Sequence, residues 1–341
     1  MSKTKINYFQ IAFIFLSFFI FITIILNPNL YLGSVSKGIL LWATIILPGL
    51  VPFVFLSNIM SKLPYTYTIC APLSYLTKKC FRSPTCTGYI YFMSILSGYP
   101  LGAKLIKDFH AAGHLTDVQA KTATAFCSTS GPIFMIGSIG VGLLSNYKSG
   151  IIIFCAHILA SFINGLLFRQ KNNQFSSPIS NHSPSNILSD SMEQTVISCI
   201  FVGGFISFAY LLIDILTNIG LLSMIGNFID NILLFGKANF GQYLASGMFE
   251  VTRGCLDLSQ SSLSIISKTI IATGLTAFGG LSVHLQSMGF LSAANIKYSF
   301  FLKTKIAHAV IAVVLSYILC IIFFWLVVLS KESCICASYI S

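Results

Sequence analysis

Residues 306–330 read IAHAVIAVVLSYILCIIFFWLVVLS and contain no charged side chain. About 20 predominantly apolar residues are enough for a helix to cross the hydrocarbon core of a bilayer. Comparable uncharged stretches lie between Lys5 and Lys37, Lys37 and Lys62, Arg82 and Lys104, Lys121 and Lys148, Lys148 and Arg169, Glu193 and Asp214, and Lys268 and Lys297. Helices of a soluble protein would instead carry a charged face. The pattern predicts an all-α polytopic membrane protein.

The composition supports the same conclusion. Hydrophobic residues make up 55% of the 341 positions and charged residues 9%, whereas a soluble domain has about 25% charged residues. The mean hydropathy is +0.84. The 20 Lys and Arg outnumber the 9 Asp and Glu, but they stand at the ends of apolar segments, where the positive-inside bias places them. We therefore expect a lipid bilayer around the chain and no nucleic-acid partner.

The common signatures of enzymes and metal sites are missing from the sequence. It contains no paired-carboxylate motif, phosphate loop, G-x-S-x-G or HExxH. The ten cysteines include no C-x-x-C pair and no Cys/His spacing of a zinc site. We expect unpaired thiols, no metal, no cofactor and no enzymatic activity.

The N-terminal region predicts a membrane anchor. Lys3 and Lys5 precede an apolar run over residues 8–26, which is longer than the 7–15 residues typical of a signal-peptide core. The following Asn27-Pro28-Asn29 offers no small-residue cleavage site. We expect an uncleaved first transmembrane helix with its basic end in the cytoplasm.

Residues 170–190 (QKNNQFSSPISNHSPSNILSD) differ from the rest of the chain because they are rich in Asn, Ser and Pro. Such a composition is typical of a solvated linker. The predicted organisation is an anchor over 1–36, a membrane half over 37–169, the linker over 170–190, a second half over 191–330 and a tail over 331–341.

About 8–10 membrane segments are expected. Pro48 and Pro52 should kink the second helix, and residues 62–82 should form an interfacial or re-entrant stretch. Spanning helices are predicted near 8–26, 38–60, 149–168, 194–218 and 306–329, and interrupted segments near 87–107, 122–145, 241–256 and 269–290.

The two halves share a spacing that predicts an internal repeat. Gly98 and Gly131 are separated by 131 − 98 = 33 residues, and Gly247 and Gly280 by 280 − 247 = 33. A long apolar helix with a single histidine follows each pair. Transporters are commonly built from such repeats, with the binding site at the repeat interface. The spacing leaves open whether the halves are parallel or inverted.

Two motifs of the first half predict interrupted helices. In Ser97-Gly98-Tyr99-Pro100, the residue before proline is pushed out of the helical region, and Ser128-Thr129-Ser130-Gly131-Pro132 combines hydroxyls with a Gly-Pro break. Backbone groups freed at such breaks must face protein or a water-filled cavity. Lys104, one turn into a helix beginning at Pro100, would favour an anionic or polar ligand. The alternatives are a kinked helix with a snorkelling Lys104, and close helix packing at 128–132.

Two motifs of the second half carry polar groups into apolar segments. Glu250 and Arg253 stand at i, i+3, so a functional pair and a structural ion pair are both open. Gly279-Gly280 is followed by His284 and Gln286, and His157 and His308 are expected to be packed and hydrogen-bonded. The candidate pathway or ligand residues are Ser97, Gly98, Tyr99, Pro100, Lys104, Thr129, Ser130, Gly131, Pro132, Glu250, Arg253, Gly279, Gly280, His284 and Gln286.

Four of these motifs, SGYPLGAK (97–104), TSGPIFMIG (129–137), GMFEVTRG (247–254) and FGGLSVHLQ (278–286), resemble the sporulation integral membrane protein family of the YlbJ type. That family belongs to the wider nucleoside-recognition, or Gate-domain, membrane proteins. One departure is Ser128, where the family usually has Asn. The resemblance implies a multi-pass protein of the bacterial cell membrane that is needed for a normal endospore and acts in the mother-cell or forespore membrane.

Two functions of different classes remain open at this stage. A carrier or channel would move a small solute through the broken helices, and a non-transporting scaffold would bind other spore membrane proteins. The broken segments favour transport, because a scaffold has no need for freed backbone groups inside the bilayer.

Overall fold

The computed structural model describes residues 8–63, 68–169, 186–233 and 240–338, and the side chains of 8–10, 61, 233 and 324–338 are outside that description. Most of the predicted linker (170–185), residues 64–67 of the predicted interfacial stretch, and the last three residues of the tail lie outside the described residues. The described part is helical and contains no strand. In chain order the helices are α1 (Tyr8–Leu26), α2 (Pro28–Leu41), α3 (Leu47–Lys62), α4 (Ala71–Leu76), α5 (Cys86–Ser97), α6 (Leu101–Ala111), α7 (Asp117–Phe126), α8 (Tyr147–Leu167), α9 (Ile187–Asn218), α10 (Leu221–Leu233), α11 (Gly241–Phe249), α12 (Val251–Ser259), α13 (Ile265–Phe278), α14 (Gly280–Leu291) and α15 (Tyr298–Ser338).

Five helical stretches among the described residues are long and apolar enough to cross a membrane: Pro28–Met60, Tyr147–Leu167, Ile187–Asn218, Ile265–Ala294 and Tyr298–Phe323. The prediction of an all-α polytopic membrane protein is thereby confirmed. The predicted boundary between residues 36 and 37 falls inside α2, because the first helix ends at Leu26 and α2 spans Pro28–Leu41.

The second span contains a π-helical turn next to Pro48, one of the two prolines at which a kink is predicted. A π-helical turn, Trp42–Ile46, joins α2 to α3 just before Pro48. Proline lacks a backbone N–H and its ring crowds the preceding turn, and the wider π turn accommodates both defects while the helix continues.

Helices α2–α3 and α9 pack antiparallel along their length. At one end the Asn58 side-chain amide donates to the Thr195 hydroxyl at 3.0 Å. At the other end the Ser34 hydroxyl donates to the Asp214 carboxylate. We call this pair the scaffold pair.

Each half also contains one helical hairpin, formed by helices too short to cross a bilayer. In the first hairpin (α5–α6), the rings of Tyr89 and Phe109 lie 5.8 Å apart, so that the start of α5 meets the end of α6. In the second hairpin (α11–α12), a Cβ on Gly254 would touch the Gly247 backbone. The two chain reversals, at Gly98–Pro100 and at Glu250, are the hairpin tips.

Each half then has a broken helix followed by a long one. The first is α7 and the π-helix Ile133–Leu143, separated at residues 127–132, and the second is α13 and α14, separated at Gly279. The long helices α8 and α15 pack with α13 through Ala160, Ala277 and Ala312, whose small side chains let the backbones approach closely. All four interrupted segments are therefore broken, as the sequence predicts.

The two halves are inverted with respect to one another. Lys104 in the first hairpin donates to Gln194 near the start of α9, at 2.7 Å. Arg253, at the matching place in the second hairpin (104 − 98 = 253 − 247), pairs with Asp214 near the end of α9. These two positions on α9 are 214 − 194 = 20 residues apart, about 30 Å along a helix. The matching hairpins therefore approach the scaffold pair from opposite ends, which resolves the question left open by the spacing.

This arrangement makes a topology prediction. The regions 62–82 and 104–121, which include α4 and parts of α6 and α7, concentrate Lys and Arg, and we expect them to lie on the cytoplasmic side. In a variant without native thiols, Ser262→Cys should react with a membrane-impermeant maleimide in intact cells, and Lys79→Cys only after permeabilisation. Labelling of Lys79→Cys in intact cells would contradict the orientation, and labelling of both from one side would contradict the inversion.

Candidate functional site

The hairpin tip of each half touches the broken helix of the same half. A Cβ on Gly98 would lie within 3.0 Å of the Gly131 nitrogen, and one on Gly280 would lie 3.0 Å from the Gly247 carbonyl oxygen. Gly98 and Gly280 both have positive φ, of 78° and 66°, which glycine adopts at little cost. The equal spacing of 33 residues thus corresponds to two equivalent crossings.

Both crossings open onto one cavity of about 750 Å³, counted together with its mouth. The first half contributes Ser97, Gly98, Tyr99, Ser130 and Gly131. The second half contributes Glu250, Thr252, Gly279, Ser282 and Gln286. Much of the remaining lining is apolar and comes from the scaffold pair and the π-helix, so the cavity is less polar than the sequence suggested.

The backbone groups freed at the first break are satisfied by side chains of α8. The Ser130 N–H donates to the His157 Nε2 at 3.0 Å, and the Asn164 amide donates to the Ala125 carbonyl at 2.8 Å. His308 from α15 donates through Nε2 to the His157 carbonyl at 3.0 Å. Both histidines are buried and hydrogen-bonded, as expected for packed histidines.

Tyr99 closes one side of the cavity at this break. Its hydroxyl donates to the Ser128 carbonyl at 2.9 Å and accepts from the Lys305 ammonium. By contrast, the Ser97 hydroxyl is buried at the cavity wall without a protein partner in the described part of the chain. A buried hydroxyl without a partner costs free energy, so it is a natural contact for a bound solute or water.

Glu250 forms the tip of the second hairpin and caps α12. Its carboxylate accepts from the Arg253 backbone N–H at 2.8 Å and from the Thr252 hydroxyl. A carboxylate is favourable at this place because the N-terminus of a helix is positive. The side chain is buried and lines the cavity.

The interpretation of Glu250 and Arg253 as an ion pair on one helical face is wrong. Glu250 is extended (φ −148°, ψ 120°) and precedes the helix. The Arg253 guanidinium instead lies 3.3 Å from Asp214 and 3.1 Å from Asp257. Because Glu250 caps α12, its side chain bonds the helix backbone. Arg253 therefore pairs with Asp214 of α9.

Several predicted residues lie near the cavity but outside its lining. Thr129 donates to the Ser94 hydroxyl at 3.3 Å, and His284 bonds the Phe278 carbonyl at 3.0 Å. Pro100 and Pro132 precede α6 and the π-helix, and Gly280 packs on the second tip. Lys104 and Arg253 reach α9 instead.

Sequence patterns alone do not identify Lys305, Thr252 or the apolar lining from the scaffold pair as parts of the site. The charge-free interval puts Lys305 at the edge of a span beginning at 306, whereas α15 begins at Tyr298 and carries Lys305 two turns inside. Among the described residues no group of three His, Cys, Asp or Glu side chains could hold a metal ion.

Comparisons with known proteins agree with this architecture. The chain matches no family model. It is 28% identical over 342 residues to the sporulation integral membrane protein YlbJ of Bacillus subtilis (strain 168), covering 92% of this chain and 83% of that protein. Two solved structures of a CNTnw variant are similar in fold: one in the intermediate 1 state (TM-score 0.54, 14% identity, 81% of this chain and 76% of that chain) and one in the intermediate 3 state (TM-score 0.51, 11% identity, 80% and 74%).

The chain is therefore a helical membrane protein whose fold is similar to that of CNTnw. The resemblance to the sporulation integral membrane protein family of the YlbJ type, indicated by the four motifs, is confirmed by the relative.

Proposed function

We propose that this chain moves a small solute across the membrane in which the endospore is made, with the mother-cell or forespore membrane as its location. The single observation that carries the proposal is the convergence of two hairpin tips and two broken helices on one cavity. Repeat-built carriers place their substrate site where broken helices from the two repeats meet. The candidate site residues and the boundaries of the two halves are part of this proposal.

The lining indicates the class of solute. Apolar side chains surround a small set of polar groups that includes hydroxyls, the Gln286 amide and the Glu250 carboxylate. Such a mixture is typical of small-molecule sites, in which a few polar groups fix the orientation of a largely apolar contact. A compact solute with an apolar body and hydrogen-bond donors toward Glu250 fits best, and ring compounds such as nucleosides are the first candidates. CNTnw, whose fold is similar, is a helical transporter.

The alternative is a non-transporting scaffold or partner of proteins that assemble the spore cortex or envelope. It agrees with the sporulation relative. The scaffold function gives no reason for two hairpin tips and two broken helices to meet at one cavity, so transport is the better-supported function.

Cysteine accessibility tests the proposal. Ser97→Cys, Ser130→Cys and Ser282→Cys, in a variant without native thiols, should react with small water-soluble thiol reagents. A saturating solute, sought among nucleosides, small acids and divalent ions, should slow the reaction at Ser97→Cys.

Leu16→Cys and Val314→Cys are the matched controls, because both positions are half-exposed on apolar helices and should stay unreactive. If the three serine positions are as unreactive as the controls, the helix breaks are packed without water, and the non-transporting function is favoured.

A further inference from the structure

Lys305 is a buried cation inside a membrane-spanning helix. It lies in the span Tyr298–Phe323 and is 1% exposed, whereas Lys303 on the same helix is exposed. An ionisable side chain at such a position is costly and defaults to a functional hypothesis. The transport proposal above assigns it no role.

The Lys305 ammonium lies against the first helix break. Nζ donates to the Tyr99 hydroxyl and, at 3.3 Å, to the Ser128 carbonyl. It also lies 4.6 Å from the centroid of the Tyr99 ring, within range of a cation–π interaction. Within the described residues, no carboxylate lies within salt-bridge distance of it. The groups that contact the Lys305 nitrogen are therefore a hydroxyl, a carbonyl and a ring face.

The Ser128 carbonyl belongs to the C-terminal end of a half-helix. Ser128 follows α7, which ends at Phe126, and the C-terminus of a helix carries a partial negative charge. In repeat-built carriers, unwound carbonyls and half-helix C-termini are the groups that coordinate a coupling cation. The Lys305 ammonium occupies this position from the opposite half of the chain.

The first half has no lysine equivalent to Lys305. His308 and His157 stand at corresponding places on α15 and α8, and three residues before each are Lys305 and Phe154. At the second break the Phe278 carbonyl is bonded by His284. The fixed cation is therefore a specialisation of the first break, not a product of the repeat.

We propose that the Lys305 ammonium is a tethered cation that fills the cation position at the first helix break, so that no dissociable alkali ion is needed there. For the solute carrier proposed above, this implies binding independent of Na⁺. The placement of Lys305 does not itself depend on transport, and the test below measures cation dependence without a solute. Failure of this proposal is thus distinguishable from failure of the transport proposal.

The test is the melting temperature of the purified full-length protein at constant ionic strength in NaCl, KCl, NH₄Cl or choline chloride. The wild-type protein and the control Lys303→Ala should melt at the same temperature in all four salts. Lys305→Ala should melt lower in choline, and a small cation that enters the vacated position should raise its melting temperature by about 3 °C or more.

A Na⁺-specific stabilisation of the wild-type protein would overturn the proposal, and this arm needs no variant. The proposal would also be overturned if small cations fail to raise the melting temperature of Lys305→Ala relative to choline. If Lys305→Ala does not accumulate, Lys305→Ser replaces it, because its hydroxyl is polar but too short to fill the vacated cation position. The same cation response is expected there, and its absence counts equally against the tethered cation.

Discussion

Gly98→Ala is expected to destabilise the protein strongly and to abolish spore formation by a strain that depends on it. The added Cβ would lie within 3.0 Å of the Gly131 nitrogen, and both partners are backbone, so neither can move aside. The φ of 78° adds strain for any L-residue. Backbone strain contributes about 1–3 kcal/mol and overpacking another 1–3 kcal/mol, roughly. Melting temperature, protein level in the membrane and spore counts measure the effect.

Gly113→Ala is the matched control, because Gly113 has nearly the same φ, 76°, but nothing within 4 Å of the added Cβ. Its effect should be limited to backbone strain, with normal spores. Equal losses from Gly98→Ala and Gly113→Ala would show that the crossing with Gly131 contributes nothing.

The positions of the breaks could largely be predicted from the sequence because their causes are local. Proline removes a donor from the helix ladder, and glycine permits positive φ, so Gly98-Tyr99-Pro100 and Gly279-Gly280 mark two of them. Charge-free intervals similarly mark the spans. The second hairpin tip lacks such a marker. Its reversal falls at Glu250, three residues after Gly247, because the carboxylate there can cap α12.

The contacts that build the site could not be predicted, because they join residues far apart in sequence. Lys305 meets Tyr99 across 206 positions, and Arg253 meets Asp214 across 253 − 214 = 39. Periodicity reports which face of a helix is apolar, but not which helix packs against it. The inversion of the halves became evident only from such contacts.

The second large effect is expected for Arg253→Met. Arg253 joins the second hairpin to the scaffold pair by its contacts with Asp214 and Asp257, and it lies 5.1 Å from the centroid of the Tyr210 ring. The Arg253, Asp214 and Asp257 side chains are 22%, 16% and 31% exposed, so removal of the cation leaves two half-buried carboxylates near each other. Loss of one partner of a fully buried ion pair costs roughly 3–5 kcal/mol, and the partial exposure of this network places the expected cost at the lower end of that range. We expect a lower melting temperature and a reduced protein level.

Compensating variants test whether Arg253 pairs with Asp214 and Asp257 or with Glu250. Asp214→Asn with Asp257→Asn should restore much of the stability of Arg253→Met, because the repulsion between the carboxylates is removed. Glu250→Gln should not, because Glu250 bonds the backbone of Arg253 and not its guanidinium. Lys104→Met is the matched control at the equivalent position of the first hairpin. It loses one hydrogen bond to a neutral amide, so its destabilisation should be about 1–3 kcal/mol. Restoration of Arg253→Met by Glu250→Gln alone would contradict the network and reinstate the pair that the sequence suggested.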